Sequence, residues 1–273
     1  MRRHPGFPKE NTMSIRTVPA SNGVTWITEA IQLILKNPGP FVLMGLIFTV
    51  IGIVPILGSL ALAIIGPTLY AGISWAARSQ AMGENTEFGH LFQGFKQEGK
   101  VGPLLILCLP GIVLGVVLGI LATILIVVTM AGAGLSAATD SPAALIGSLG
   151  AGAFVLLMVA VVLLVIGFAL TFFAIPDVMF RHNDAFAAMK QSARACLANI
   201  GAVLMFLLVL VLAALITTLV LSLISGLLAQ ILVSIAMAPI AGASMYLAWK
   251  DVYDESELEL PPIDNDEGGG IVA

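Results

Sequence analysis

The sequence predicts an all-α polytopic membrane bundle of about six transmembrane helices, with amphipathic interfacial helices before spans one, three and five. Three observations lead to this prediction. Of the 273 residues, 59% are hydrophobic and only 10% are charged, whereas about a quarter of a soluble domain is charged. The charges leave four long stretches empty, and all 12 Lys and Arg fall on one side of the resulting helices. This composition excludes a soluble enzyme, a nucleic-acid binder and a disordered chain.

The spans follow from four stretches without Asp, Glu, Lys or Arg, at 37–77, 101–139, 141–176 and 195–249. One crossing needs about 20 apolar residues. The first and last stretches are therefore long enough for two crossings each, and the middle two for one each. The predicted spans are 39–56, 59–78, 103–130, 147–174, 200–224 and 229–249.

The connections between spans are predicted from Pro, Gly and other small residues, which interrupt helices. The first hairpin is expected to turn at 55–59, and it is tight enough for a partly re-entrant path. A small-residue loop around 131–144, charged only at Asp140, joins the middle pair. The last hairpin is expected to turn near Ser225 and Gly226.

The distribution of basic residues predicts the orientation. Lys and Arg occur before span one, between spans two and three, between spans four and five, and after span six. Cytoplasmic loops are enriched in these residues, so both termini are predicted to be cytoplasmic. Outside the transmembrane domain 21–253, we expect disordered cytoplasmic tails at 1–20 and at 254–273, the second of them acidic. Either Met1 or Met13 fits the start of the chain.

Each hairpin is preceded by a short amphipathic segment, and Asp184 is the expected N-cap of the third. Helices of this kind lie in the headgroup plane, with the apolar face toward lipid and cations toward phosphates. Two interpretations stay open: lipid contact, and packing on the bundle as connectors. The candidate interfacial anchors are Trp26, Phe88, Phe92, Phe95, Phe186, Lys190 and Arg194.

The third span contains Gly111, Gly115 and Gly119, which are spaced four residues apart. Small residues at this spacing let two membrane helices approach closely. We interpret them as candidate helix-packing residues within the chain, and a homodimer face is the alternative.

The first and last hairpins resemble each other. Asn37 and Asn199 open similar apolar segments, and Pro67 precedes Arg78 by 11 residues, as Pro239 precedes Lys250. Both copies start on the same side, so a duplication would be parallel, with its axis along the membrane normal.

Chemistry within a membrane usually requires ionisable groups at depth, each of which costs about 2.5–3.5 kcal/mol to insert. No such group lies near the middle of a predicted span, and we predict no catalytic, cofactor-binding or metal-binding residue. Asp177, which follows Pro176 at the end of span four, is a weak functional candidate. Its structural interpretation is a helix-end acid paired with Arg181, and its functional interpretation is contact with a substrate or ion.

Several short motifs resemble a known family. They are Trp26 with Lys36-Asn37-Pro38, Phe92-Gln93-Gly94-Phe95, Ala174-Ile175-Pro176-Asp177-Val178, the run from Ser192 to Asn199, and the run from Tyr246 to Tyr253. Together they resemble the uncharacterised YciC-like bacterial inner-membrane proteins, which are similar in turn to the membrane domain of glycerophosphodiester phosphodiesterase. The resemblance covers about 21–253. It implies a multi-pass protein of the bacterial inner membrane without an assigned reaction.

The sequence favours a non-enzymatic protein that acts through lipid or protein contacts. Its expected partners are membrane lipids, with a membrane-protein partner or a homodimer as further options. A transporter or channel-like protein for a neutral or lipid-like solute is the alternative. An enzyme would need Asp177 close to His90 or His182, and the sequence names no substrate.

Overall fold

The computed structural model describes residues 15–139, 142–181 and 184–253, without the side chains of 131–151. Every regular element in those residues is helical, which confirms the all-α prediction. Five segments in them are long and apolar enough to cross a membrane. The helices are α1 (Asn22–Lys36), α2 (Pro38–Ile53), α3 (Leu57–Ala81), a 3-10 helix (Phe88–Phe92), α4 (Gln93–Lys96), α5 (Val101–Ile106), α6 (Leu109–Thr139), α7 (Pro142–Thr171), α8 (Ala174–Arg181), α9 (Ala185–Ala198), α10 (Ile200–Ser222) and α11 (Gly226–Tyr253).

The first predicted span, 39–56, corresponds to a helix that is too short to cross alone. α2 has 16 residues and is therefore about 24 Å long, whereas the hydrocarbon core is about 30 Å thick. It follows α1 at a bend of 112°. Only if this bent pair counts as one span does the described chain contain a sixth crossing.

The prediction of a long loop around 131–144 is wrong. α6 continues to Thr139 and α7 begins at Pro142, because a helix satisfies the backbone hydrogen bonds of this segment internally, which a loop in lipid would not. Asp140 lies outside the described residues. The helices break elsewhere: near Leu107 between α5 and α6, and at Phe172 and Phe173 between α7 and α8.

The two predicted hairpin turns are confirmed. In the first, the Leu57 amide donates to the Pro55 carbonyl at 2.7 Å. Ile56, between them, adopts φ 64° and ψ −58°, which is a γ-turn that few non-glycine residues adopt. In the second, α10 ends at Ser222 and α11 begins at Gly226.

The amphipathic segments differ in regularity. α1 and α9 are continuous helices, and the Asp184 side chain caps α9 by accepting from the amides of Phe186 and Ala187. The segment before span three is instead split into the 3-10 helix and α4, and Gln97 after it is extended.

The packed core lies at one end of the bundle, where the C-terminal ends of α3 and α11 meet α1, α8 and α9. We call this the basic end, because Arg78, Lys100, Arg181 and Lys250 lie there. Residues 15–18, expected in a disordered tail, are docked here instead: the Arg16 amide donates to the Val252 carbonyl at 3.0 Å. Away from this end, α6, α7 and α10 expose large apolar side chains along their length, as expected for a protein in a bilayer.

Candidate functional site

Asp177 is the centre of a charge cluster buried at the basic end. It lies in the first turn of α8 and is 1% exposed. Nη1 of Arg181, one turn later, donates to its Oδ1 at 2.9 Å, and Nε1 of Trp249 on α11 donates to the same oxygen at 3.3 Å. The predicted pairing of Asp177 with Arg181 is therefore confirmed. The acid joins α8 to α11.

Lys100 brings a second cation into the same region. Its side chain is 1% exposed, and Nζ donates to the Val178 carbonyl at 2.7 Å. Burial lowers the pKa of Lys100 to about 8, against the opposing effect of the Asp177 carboxylate. Gly99 adopts φ +74° just before it, a conformation that glycine takes without strain, and this turn leads the chain from α4 into α5.

Arg78, near the end of α3, is also buried, at 4% exposed. Its guanidinium lies 5.9 Å from the Trp75 ring centroid and 5.5 Å from that of Phe180. Such cation–π contacts stabilise a cation more strongly when water is excluded. Trp75 and Phe180 stack on each other at 6.1 Å, so Arg78 ties α3 to α8.

The charge cluster, defined as Arg78, Lys100, Asp177 and Arg181, therefore connects α3, α5, α8 and α11. Buried charges are tolerated when they are paired or hydrogen-bonded. Because Asp177 is nearly inaccessible and accepts from Arg181 and Trp249, its geometry is that of a structural group. His182 lies outside the described residues, and His90 is occupied locally, with its Nδ1 accepting from the Glu87 amide at 3.5 Å.

The prediction that Trp26 is an interfacial anchor is wrong. It is 1% exposed and packs against Phe172, Phe173 and Phe206 with ring centroids 6.3–6.5 Å apart. Its Nε1 donates to Oδ2 of Asp251 at 3.0 Å. Because α1 packs its apolar face on α10 and α11, the connector interpretation holds for this segment.

The other candidate anchors are more accessible. Phe186 is 64% exposed, whereas Phe92 and Phe95 are 36% and 37% exposed. Phe88 is half-buried against the core. Lys190 and Arg194 are both exposed on α9. The segments before spans three and five thus offer aromatic side chains to their surroundings, and α9 adds two cations one turn apart.

The glycines of α6 do not serve as close packing positions within the described chain. A Cβ built on Gly111, Gly115 or Gly119 meets no atom within 4 Å. The interpretation as intramolecular packing is therefore wrong, and the homodimer face stays a prediction. Close approach occurs at other glycines instead: a Cβ on Gly45 would overlap the carbonyl oxygen of Ile235, which brings α2 against α11.

Two apolar grooves open on the sides of the bundle. The first, of about 470 Å³, lies between α3, α6 and α7 and includes Pro67, Tyr70, Gly111, Phe168 and Thr171. The second, of about 480 Å³, runs between α6 and α7 toward α9. Both volumes fall in the range of small-molecule sites, about 300–1,000 Å³.

Among the described residues, no group of three His, Cys, Asp or Glu side chains is arranged to hold a metal ion. No protein family, curated protein or solved structure matches the chain.

Sequence reasoning missed Arg78 and Lys100 as members of a buried cluster. Each stands at the edge of an apolar stretch, which is where a basic residue usually extends its charge into water. The local sequence carries no signal for their burial, because it depends on α8, a helix about 80 to 100 residues further along the chain.

Proposed function

We propose that the protein is a non-enzymatic, multi-pass protein of the bacterial inner membrane, with both termini cytoplasmic, that binds phospholipid at its basic end. The exposed face of α9 is the observation that supports this function most directly. Phe186 lies at the start of α9 and is 64% exposed, and Lys190 and Arg194 follow on the exposed surface of this helix. An amphipathic helix with exposed aromatic and cationic residues suits the headgroup region, and each cation near an anionic leaflet contributes about 1 kcal/mol.

A lipid titration tests this proposal. The protein is purified in a mild detergent, and its unfolding temperature is followed as phosphatidylglycerol or phosphatidylcholine is added. We expect both lipids to raise the unfolding temperature and the anionic lipid to act at lower concentration. The proposal fails if neither lipid changes the unfolding temperature and no phospholipid remains bound after purification.

A second candidate function, movement of a lipid-like solute, draws on the first groove. This groove borders Pro67 inside α3 and the break between α7 and α8 near Thr171, and interrupted helices commonly border transporter sites. Its lining is almost entirely apolar, which suits an acyl chain better than a polar solute. Proteoliposomes with a fluorescent phospholipid distinguish the two functions: transfer between leaflets favours transport, and binding without transfer favours the first proposal.

A further inference from the structure

The second groove is lined by apolar side chains, and at one end it reaches the cation of Lys190. The groove walls come from Val113 and Leu114 on α6 and from Leu163 and Leu170 on α7. At Gly167 the α7 wall lacks a side chain, and a Cβ there would lie 3.3 Å from Leu114. Toward the basic end the groove reaches α9.

α9 is held firmly over this end of the groove. The Ser192 hydroxyl donates to the Ala169 carbonyl at 2.7 Å and accepts from the Phe173 amide at 3.1 Å. These bonds satisfy backbone groups at the break between α7 and α8, where the helical pattern is interrupted. With its N-terminus capped by Asp184, α9 places Phe186, Met189 and Lys190 in the groove lining.

Lys190 is the charged member of the described lining. Its side chain is exposed. The Lys190 ammonium group makes no hydrogen bond or ion pair with residues 15–139, 142–181 or 184–253, the part of the chain that the structure describes. An apolar groove that ends at a cation complements a ligand with a hydrocarbon chain and an anionic head.

The charge at the end of the groove selects between possible occupants. The groove extends along α6 from Leu109 to Val117, a distance of about 12 Å. An acyl chain can follow this apolar length while its anionic head meets Lys190. An uncharged membrane helix, such as α6 of a second copy, brings no anion to this cation.

We propose that this groove binds one acyl chain of an anionic phospholipid, whose phosphate pairs with Lys190. The inference rests on the proposed function and assigns it a site. It also distinguishes Lys190 from Arg194, which lies one turn further along α9 outside the groove lining.

The experiment measures bound lipid by native mass spectrometry of the full-length protein in detergent, with phosphatidylglycerol and phosphatidylcholine in competition. Lys190→Gln is expected to lower the apparent affinity for phosphatidylglycerol about fivefold, the equivalent of the usual contribution of one cation. Lys36→Gln, at an exposed cation of α1 outside the groove lining, is the matched control and is expected to change it less than twofold. Val113→Trp fills the groove and is expected to abolish tight binding of both lipids. Val116→Trp, on the exposed surface of α6 outside the groove, is expected to leave binding intact.

The outcomes separate the site from the function. If wild-type protein binds no phospholipid, the proposed function itself fails. If wild type prefers phosphatidylglycerol but Lys190→Gln equals Lys36→Gln, or Val113→Trp equals Val116→Trp, the groove assignment is overturned while the function stands. Should Lys190→Gln fold poorly, Lys190→Arg replaces it. This variant retains the charge and is expected to bind like wild type, and loss of its lipid preference contradicts the proposal.

Discussion

Asp177 stabilises the basic end through its charge. Its carboxylate is 1% exposed and accepts from Arg181 at 2.9 Å. Asp177→Asn keeps an oxygen for the Trp249 indole but leaves the Arg181 cation buried without its anion. Removing one member of a buried pair costs about 3–5 kcal/mol, and we expect that loss in the free energy of unfolding, measured in detergent with a denaturing surfactant.

Two variants control for this measurement. Asp184→Asn replaces an exposed N-cap with an equally good one and is expected to change stability little. Asp177→Asn combined with Arg181→Gln is expected to be more stable than Asp177→Asn alone, since the unpaired charge is gone. If Asp177→Asn is as stable as Asp184→Asn, the charge cluster is not a structural element.

Lys100 makes stability depend on pH in a defined direction. Its pKa is lowered to about 8 in the folded protein, from an ordinary value of 10.5. The unfolded chain therefore binds more protons than the folded one between about pH 8 and 10.5, and stability rises with pH in that window, by up to about 1.4 kcal/mol per unit. Burial raises the pKa of Cys196 from 9.0 to about 12, so above pH 9 this thiol opposes the rise.

Unfolding temperatures at pH 8, 8.5 and 9 isolate the Lys100 contribution. Wild type is expected to become more stable over this range, and Lys100→Met is expected to remove the increase. Cys196→Ala is the companion variant, whose increase is expected to continue above pH 9. An equal pH dependence in wild type and Lys100→Met would contradict a lowered Lys100 pKa.

At the scale of single residues, the sequence predicted partners that lie close along the chain and missed distant ones. Asp177 and Arg181 are one helical turn apart, so their pairing follows from helix geometry. Trp26 is an aromatic residue on an amphipathic helix, which is typical of an interfacial anchor. Its burial depends on Asp251 and Phe206, about 180 to 225 residues away. Nothing in the periodicity of α1 distinguishes a face that meets lipid from a face that meets α10 and α11.

At the scale of elements, two asparagines occupy equivalent breaks. Asn37 separates α1 from α2, and Asn199 separates α9 from α10. The Asn199 side chain also holds the N-terminal segment: its Oδ1 accepts from the Val18 amide at 2.7 Å, and its Nδ2 donates to the Arg16 carbonyl at 3.0 Å. Asn37 donates once, to the Thr86 carbonyl at 3.3 Å.

This difference predicts unequal effects of the two alanine variants. Asn199→Ala leaves two backbone groups without partners and is expected to cost about 2–3 kcal/mol, whereas Asn37→Ala is expected to cost about 1 kcal/mol or less. Hydrogen exchange at residues 15–20 is expected to accelerate only in Asn199→Ala. Equal exchange in the two variants would mean that Asn199 does not hold this segment.

The elements themselves were largely predictable, since long uncharged stretches leave few alternatives to helices in a membrane. Their interruptions were not. The segment 88–100 has the apolar spacing of one helix, yet it forms a 3-10 helix and α4. Gly72 on α3 explains part of this, because a Cβ there would overlap the Leu91 carbonyl oxygen. This close approach fixes the segment against α3 through tertiary contact, which local spacing does not record.

At the scale of the whole molecule, the core and the charge cluster share the basic end, while α6, α7 and α10 expose large apolar side chains away from it. This asymmetry fits the predicted orientation, in which the basic end faces the cytoplasm. One question of topology follows, namely whether the first hairpin crosses the membrane. α3 has 25 residues and is about 38 Å long, so the turn at Ile56 reaches the far side only if α3 crosses completely.

Cysteine labelling in spheroplasts with a membrane-impermeant maleimide answers this question. Ile56 and Leu223 are 82% and 86% exposed in the two far turns, and Lys250 is exposed at the basic end. The native Cys108 and Cys196 are 8% and 4% exposed, which keeps the background low. We expect Ile56→Cys and Leu223→Cys to be labelled on intact spheroplasts and Lys250→Cys only after permeabilisation. Labelling of Lys250→Cys from outside would reverse the orientation. Labelling of Leu223→Cys without Ile56→Cys would make the first hairpin re-entrant and leave four spans, because α2 and α3 would both return to the basic end without crossing.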